Sequence, residues 1–173
     1  MGANLIDTIL ARQSCRSFKN ENLKDGDMEI LMEALRWAPS AGNSQPWFFY
    51  VVTNQEKKDE LGRAAFGQSF IADAPVVFVV CANAEESSRS YGERGRGLYC
   101  LQDTAAATEN LMLAATALGY GCCWIGAFQE QGVSKVLNIP QHLRPVTMVP
   151  VGLVRSKGSR PDRKKINEIF QFI

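Results

Sequence analysis

Histidine is nearly absent from this chain. His142 is alone among 173 residues, and the five cysteines Cys15, Cys81, Cys100, Cys122 and Cys123 contain no Cys-x-x-Cys pair. A zinc site needs clustered nitrogen and sulfur ligands, so no metal centre is expected. An odd cysteine count without framework spacing fits a reducing compartment rather than a disulfide-stapled fold. An excess of charge of one sign is missing too: the formal net charge is +1. That excludes a general nucleic-acid or acidic-membrane binder, which needs a basic face. No basic start leads into an apolar core at the N-terminus, so no signal peptide is expected. The purest apolar run, Ala74 to Ala82, is too short to cross a bilayer. A cytoplasmic protein with no membrane partner is the expectation. Internal repeats, low-complexity tracts and interdomain linkers are also lacking, and the length suits one domain over residues 1–173.

What is present centres on Ala38-Pro39-Ser40-Ala41-Gly42-Asn43-Ser44-Gln45-Pro46-Trp47. Two prolines bracket small residues and amides, so the chain must leave a helix and loop before it enters the apolar run Phe48–Val52. Small side chains let backbone N–H groups approach a ligand, and Ser40, Asn43 and Gln45 offer directional hydrogen bonds. An ordinary helix-to-strand connection would read the same way. Upstream, Asn4 caps a helix whose apolar face is Leu5, Ile6, Ile9 and Leu10. It runs into Arg12-Gln13-Ser14-Cys15-Arg16-Ser17-Phe18, where a tight turn would let Arg12, Ser14 and Arg16 face one ligand. Two guanidiniums and a hydroxyl suit a phosphate, and equally suit a solvated helix end. Phe18 is expected to anchor the exit in the core.

Helical spacing predicts helices over Asp27–Trp37, Gln55–Ala65, Tyr99–Leu118 and Glu130–Leu137. Strands are expected at Trp47–Thr53, Cys122–Phe128 and Val146–Leu153, and at Val76–Cys81, which reads as buried on both faces. Pro150 places the Val146–Leu153 strand at an edge or bulge. The polar stretch Ala84–Arg96 has no hydrophobic period and reads as a mobile loop or lid, whose Arg89, Arg94 and Arg96 would border a substrate or reductant entrance. Its Gly92, Gly95 and Gly97 lack the spacing and the Gly-Lys-Ser/Thr ending of a nucleotide loop. Cys122-Cys123 is either a redox pair or two small core residues of a strand. The final apolar residues Ile166, Ile169, Phe170, Phe172 and Ile173 need a surface to cover, and a partner subunit would supply one. The mixture of elements is that of an α+β domain.

Four ordered segments resemble the nitroreductase family of FMN-dependent oxidoreductases: Arg12–Arg16, Pro39–Trp47, Gly119–Phe128 and Arg160–Arg163, with Gln102–Leu111 similar to the family's central helix. The resemblance implies a three-layer α+β fold with a mostly antiparallel sheet of four to five strands flanked by helices, in an intertwined homodimer. FMN would lie in two clefts at the dimer interface. By position, Arg12, Gln13, Ser14 and Arg163 would hold its phosphate and ribityl chain, and Arg16 would meet the pyrimidine edge. Pro39, Ser40, Ala41 and Asn43 would reach it from the other subunit. Trp124, Ile125, Gly126 and Ala127 would line the ring, with a backbone N–H near Gly126 at N5 and Gln68 also meeting the ring. NADH or NADPH would reduce the flavin and a small organic acceptor (nitroaromatic, quinone or similar) would reoxidise it, in ping-pong order and without a catalytic side chain. A relative with specialised flavin chemistry such as dehalogenation, a flavin storage protein and a thiol-based redox protein are the alternatives.

Overall fold

The computed structural model describes residues 4–156 and 158–173. Its centre is the strand β2 (Val76–Ala82), every residue of which is buried. Successive side chains of a strand point to opposite faces, so β2 divides the interior in two. Val76, Phe78 and Val80 join Leu31, Leu35, Leu111, Met112 and Ala115 on one face. Val77, Val79 and Cys81 join Leu61, Ala65, Ile71, Val133 and Met148 on the other. The two-faced burial expected from the continuous apolar run is thereby observed, and it defines three layers.

Helices α2 (Asp27–Arg36) and α6 (Cys100–Ala117) cover the first face; α3 (Gln55–Ala64), α4 (Phe70–Asp73) and α7 (Glu130–Leu137) cover the second. The sheet has the order β1-β2-β4-β3, where β1 is Trp47–Val52, β3 is Gly121–Cys122 and β4 is Arg144–Gly152. All three pairings are antiparallel. The α+β sandwich with a four-stranded, mostly antiparallel sheet is as expected. Helix α6 docks on α2 partly through Asn110, whose side chain donates to the Ala34 carbonyl at 3.2 Å. Tyr120 ties the start of α2 to the end of α6: its hydroxyl donates to Asp27 at 2.6 Å and accepts from the Lys24 N–H at 2.9 Å. The one buried lysine among the described residues, Lys58, donates to the Ala74 carbonyl at 2.6 Å and so joins α3 to the end of α4.

Three sequence expectations are corrected. Residues 84–96 are not a loop: α5 spans Ala84–Arg94, and a π-helical turn follows over Gly95–Tyr99. The Asn83 side chain caps α5 by accepting from the Glu86 N–H at 3.2 Å, and α5 is polar because it packs on little more than Ser87 and Tyr91. A helix with a single buried residue, Ser87, shows no hydrophobic period. Secondly, Pro150 lies inside the sheet. Met148 sends its N–H toward Ile125, so two residues on the missing proline donor faces the same side, in the gap between Cys122 and Ile125 where no ladder bond is needed. Thirdly, residues 122–128 do not form one strand. Pairing stops at Cys122 and resumes only at the isolated bridge Ile125–Met148.

Helix α1 (Leu5–Ala11) starts at Asn4 as expected, with the Asn4 side chain accepting from the Ile6 N–H at 3.1 Å. Its apolar residues Leu5, Ile6, Ile9 and Leu10 all point outward, as do Ile166, Ile169, Phe170, Phe172 and Ile173 near the C-terminus. Among the described residues no helix is long and apolar enough to cross a membrane. Leu111 is wholly buried between α6 and the sheet. Leu111→Ala should therefore lower unfolding stability by about 2–5 kcal/mol, read as a fall in the denaturant midpoint without a change of slope.

Candidate functional site

After α1 the chain runs extended alongside the sheet rather than turning tightly. Ser14 forms a parallel bridge with Cys122, the Cys15 N–H donates to the Cys122 carbonyl at 2.8 Å, and the wholly buried Phe18 bridges Val154. The expected tight turn is replaced by strand alternation, which brings the same three residues to one edge. Cys15 points in, and Arg12, Ser14 and Arg16 share the opposite side. Their convergence registers on the next residue of the neighbouring chain: Arg16, Ser14 and Arg12 each pull the Cys123 thiol pKa down, although burial, the larger effect, leaves it raised. Burial pushes the Cys122 thiol up to about 12. All five cysteines are buried and free, so Cys122 and Cys123 are core residues. A cavity of about 170 Å³ opens beside this edge, lined by Gln13, Ser14, Thr116, Tyr120 and Gly121 among others.

The rim beyond Cys123 is held from below. Ile125 exchanges both backbone hydrogen bonds with Met148, at 2.9 and 3.0 Å, and its carbonyl also accepts from the Thr147 hydroxyl at 3.0 Å. Its side chain is buried in the core, while Trp124, Gly126 and Ala127 stand exposed on either side of it. A Cβ on Gly126 would meet only Trp124 Nε1, at 3.9 Å, so the backbone there is open to close approach. Gln68 reaches the same rim from the α3–α4 connection. Its Nε2 donates to the carbonyls of Ala65, at 2.9 Å, and Ala127, at 3.1 Å, which leaves Oε1 to accept from a ligand.

The loop between Ala38 and Trp47 forms a second polar surface. Gly42, Asn43 and Gln45 have φ of 55°, 55° and 49°, the left-handed region that residues other than glycine rarely occupy. Ser40 and Gln45 spend their polar groups inside the loop. Ser40 Oγ accepts from the Gln45 N–H at 3.0 Å, and Gln45 Nε2 donates to the Asn43 carbonyl at 3.3 Å. Asn43 and Pro39 are exposed, and Ser40 and Ala41 half-buried. Arg163 is exposed on the C-terminal segment and has no ion pair among the described residues.

Two residues that hold this loop are not evident from the sequence pattern. Tyr91 of α5 rests its hydroxyl on Gly42, where any Cβ would collide with it. Asp103, buried in the first turn of α6, accepts the Ala41 N–H at 3.1 Å. Burial raises the Asp103 carboxyl above the usual carboxylate range, against the opposing pull of that N–H. The available signal was a lone acid among the apolar positions of the longest helix. Tyr91 gave none, because its helix has no period to read.

Fold and site together define an α+β sandwich with an arginine-serine edge and a glycine rim at one end of its sheet. The nitroreductase family pattern matches residues 9–69 and 63–153. A protein of Archaeoglobus fulgidus described as a candidate NADH dehydrogenase/NAD(P)H nitroreductase is 35% identical over 85% of this chain and 83% of its own. The FMN reductase (NADPH) of Bacillus subtilis is 29% identical over 86% of this chain and 65% of its own. Among solved structures, a nitroreductase family protein of Streptococcus pneumoniae superposes with TM-score 0.87 at 25% identity, covering 98% of this chain and all of that one (100%). The chain belongs to the nitroreductase family.

With every thiol buried, thiol reagents at pH 8 should label none of the five until denaturant is added. Rapid labelling of one cysteine in the native protein would overturn the core assignment. Gly42→Ala places a Cβ at a left-handed φ and against Tyr91; it should destabilise the protein by about 1–3 kcal/mol, seen as a lowered thermal midpoint.

Proposed function

We propose that the protein is an FMN-dependent NAD(P)H oxidoreductase that reduces a small organic acceptor. In this reading residues 1–173 form one FMN-binding domain that works as a homodimer. The observation that carries the reading is the placement of Arg12, Ser14 and Arg16 on one edge, beside the open rim at Gly126. Two guanidiniums and a hydroxyl are the donor set a phosphate monoester needs, and arginine grips it with a planar fork. A flat ring would lie against the exposed Trp124, Gly126 and Ala127, where no side chain at position 126 stands in the way. The family membership and the names of relatives, FMN reductase (NADPH) and FMN reductase [NAD(P)H], support the same cofactor and reductants.

When bound, FMN supplies a two-electron hydride carrier that NADH or NADPH charges and the acceptor discharges in ping-pong order. The chain's own residues bind and orient. Arg12, Gln13, Ser14 and Arg163 hold phosphate and ribityl chain, and Arg16 puts a cation at the pyrimidine edge. Gln68 offers Oε1 as an acceptor. Ile125 contributes by fixing the rim through Met148 rather than by exposing its side chain. No side chain in this arrangement needs to act as nucleophile or general acid, consistent with a single histidine.

What one chain leaves uncovered supports the homodimer. Four apolar residues of α1 and five of the C-terminal segment are exposed, along with Ile30 and Met32 of α2 and Trp37 at its C-terminal end, and a second copy would cover them. Cofactor pockets run to about 300–1,000 Å³, against about 170 Å³ for the cavity beside Ser14. A second copy that seats its apolar surfaces here would close the cleft and bring Pro39, Ser40, Ala41 and Asn43 to the flavin from the other side.

An anaerobic visible spectrum of the FMN-reconstituted protein tests the reading. The flavin bands should bleach on a turnover timescale with NADH or NADPH; flavin bound without bleaching by either would indicate a storage role, and no bound flavin would sink the proposal. Arg12→Ala combined with Arg163→Ala should weaken FMN binding by at least about 100-fold, since charge-assisted hydrogen bonds contribute about 1.5–3 kcal/mol each. An unchanged dissociation constant in fluorescence titration would remove both arginines from the site.

A further inference from the structure

The residue that the fold places most expensively is Asp103. It is 7% exposed, and only one of its oxygens has a partner: Oδ1 accepts from the Ala41 N–H, while Oδ2 is buried with no hydrogen bond among the described residues. A buried carboxylate with an unpaired oxygen costs more free energy than an apolar side chain of the same shape. The raised carboxyl pKa has the matching sign: with folded above unfolded value, ionising the group as pH rises subtracts from stability. Nearby, α6 brings the Cys100 thiol, and Arg144 on β4 acts on that thiol while paired to Glu130 at 2.7 Å. The loop facing Asp103, residues 39–46, brings no titratable group. Stability alone therefore gives no reason for an acid here.

The loop it touches does give one. Asn43 and Gln45 are non-glycine residues held left-handed, at a cost of about 1–2 kcal/mol for Gln45 and less for Asn43, whose side chain tolerates the region better, so the loop keeps this shape because its surroundings over-determine it. The peptide between Ser40 and Ala41 lies at the centre of that network. Its N–H donates to Asp103, and its carbonyl, on Ser40, accepts the Asn43 N–H at 3.0 Å. An ionic acceptor on one side of a peptide strengthens the hydrogen bond on the other. Ser40 Oγ then takes the Gln45 N–H. One carboxylate on a rigid helix thus reaches Asn43 through a single peptide unit, and Gln45 through the hydroxyl of the serine that carries that peptide's carbonyl.

We infer that Asp103 is a positioning residue that holds the loop at residues 40–45 in its observed shape, with Gly42, Asn43 and Gln45 left-handed, so that Asn43 is presented ready-made to the cofactor. The inference rests on the FMN reading given above, and it assigns Asp103 no contact with flavin or substrate. Pre-organisation of this kind raises affinity by removing the ordering cost from the binding step.

Asp103→Leu removes charge and acceptor while keeping the branched shape, and Asp103→Asn removes the charge alone at nearly the same volume. In the flavin-free protein, Asp103→Leu should speed amide hydrogen exchange at Ala41 and Asn43 at least about tenfold while the thermal midpoint stays at or above that of the wild type. FMN binding should weaken by a similar factor. Asp103→Asn should shift the Ala41 amide proton upfield and speed Asn43 exchange by about threefold, and it decides the matter should the leucine variant not fold. Unchanged exchange at residues 41–45 overturns the inference. So does a fall in the thermal midpoint with faster exchange spread through the whole chain, which would make Asp103 a purely structural residue. A loosened loop with unaltered FMN affinity overturns the presentation of Asn43. If the wild-type protein binds no FMN, the cofactor reading fails, while the exchange measurements still decide whether Asp103 holds the loop.

Discussion

The structure depends on a strand that is dry on both sides. Because β2 has no residue in water, it must have helices on each face, and its hydrogen bonds must be completed by β1 on one edge and β4 on the other. Everything that carries chemistry is a consequence of where the chain goes after meeting those demands. Helix α6 crosses one face and turns at Gly119 into β3, which is only two residues long. Because β3 is the edge of the sheet, the Cys122 carbonyl on its open side is left to bond the extended segment from the N-terminus. That pairing sets the arginine-serine edge beside the glycine rim. The core layer thus fixes the site by exhausting the other ways of satisfying the backbone.

The two polar surfaces differ in how they are held. The rim at Trp124–Ala127 is stitched to β4 by backbone bonds at Ile125, and the arginine edge to β3 at Cys15 and to the segment after β4, at Leu153 and Arg155, through Lys19 and Ser17. Both are extensions of the sheet and share its rigidity. The loop at residues 39–46 has no such ladder. It is held by side chains, Asp103 and Tyr91 from outside and Ser40 and Gln45 from within. Sheet extensions tolerate side-chain changes that leave the backbone bonds intact, whereas a loop held by four side chains does not.

Much of this was legible in the sequence because it is written in local patterns. The β-branched run at Val76–Ala82, the spacing of Leu31, Leu35, Leu111 and Ala115, and the prolines flanking residues 40–45 each translate directly into a strand, a helix face and a loop. Arg12, Ser14 and Arg16 were recognisable as a group, but the geometry that unites them was misread, since an extended segment and a tight turn look alike in seven residues. Pro150 misled because its edge-strand rule assumes an unbroken neighbour, and the gap after Cys122 is a property of the other strand. Helix α5 was invisible because amphipathic periodicity reports burial, and α5 is barely buried. Asp103 needed three dimensions: its partner is 62 residues away in sequence.

The contact of Tyr91 with Gly42 makes two parts of the molecule mechanically dependent. Glycine at position 42 lets α5 and the loop approach this closely, so α5 cannot move toward the loop without either the Tyr91 side chain or the loop giving way. In families of enzymes the segment over a site is commonly the one that drifts as specificity changes. Here such drift is geared to the loop beneath: a longer or tilted α5 would lever residues 40–45 out of their strained shape. The helix is free to vary along its solvent side, at Glu85, Arg89 and Glu93, but the face bearing Tyr91 evolves only in step with the loop it rests on.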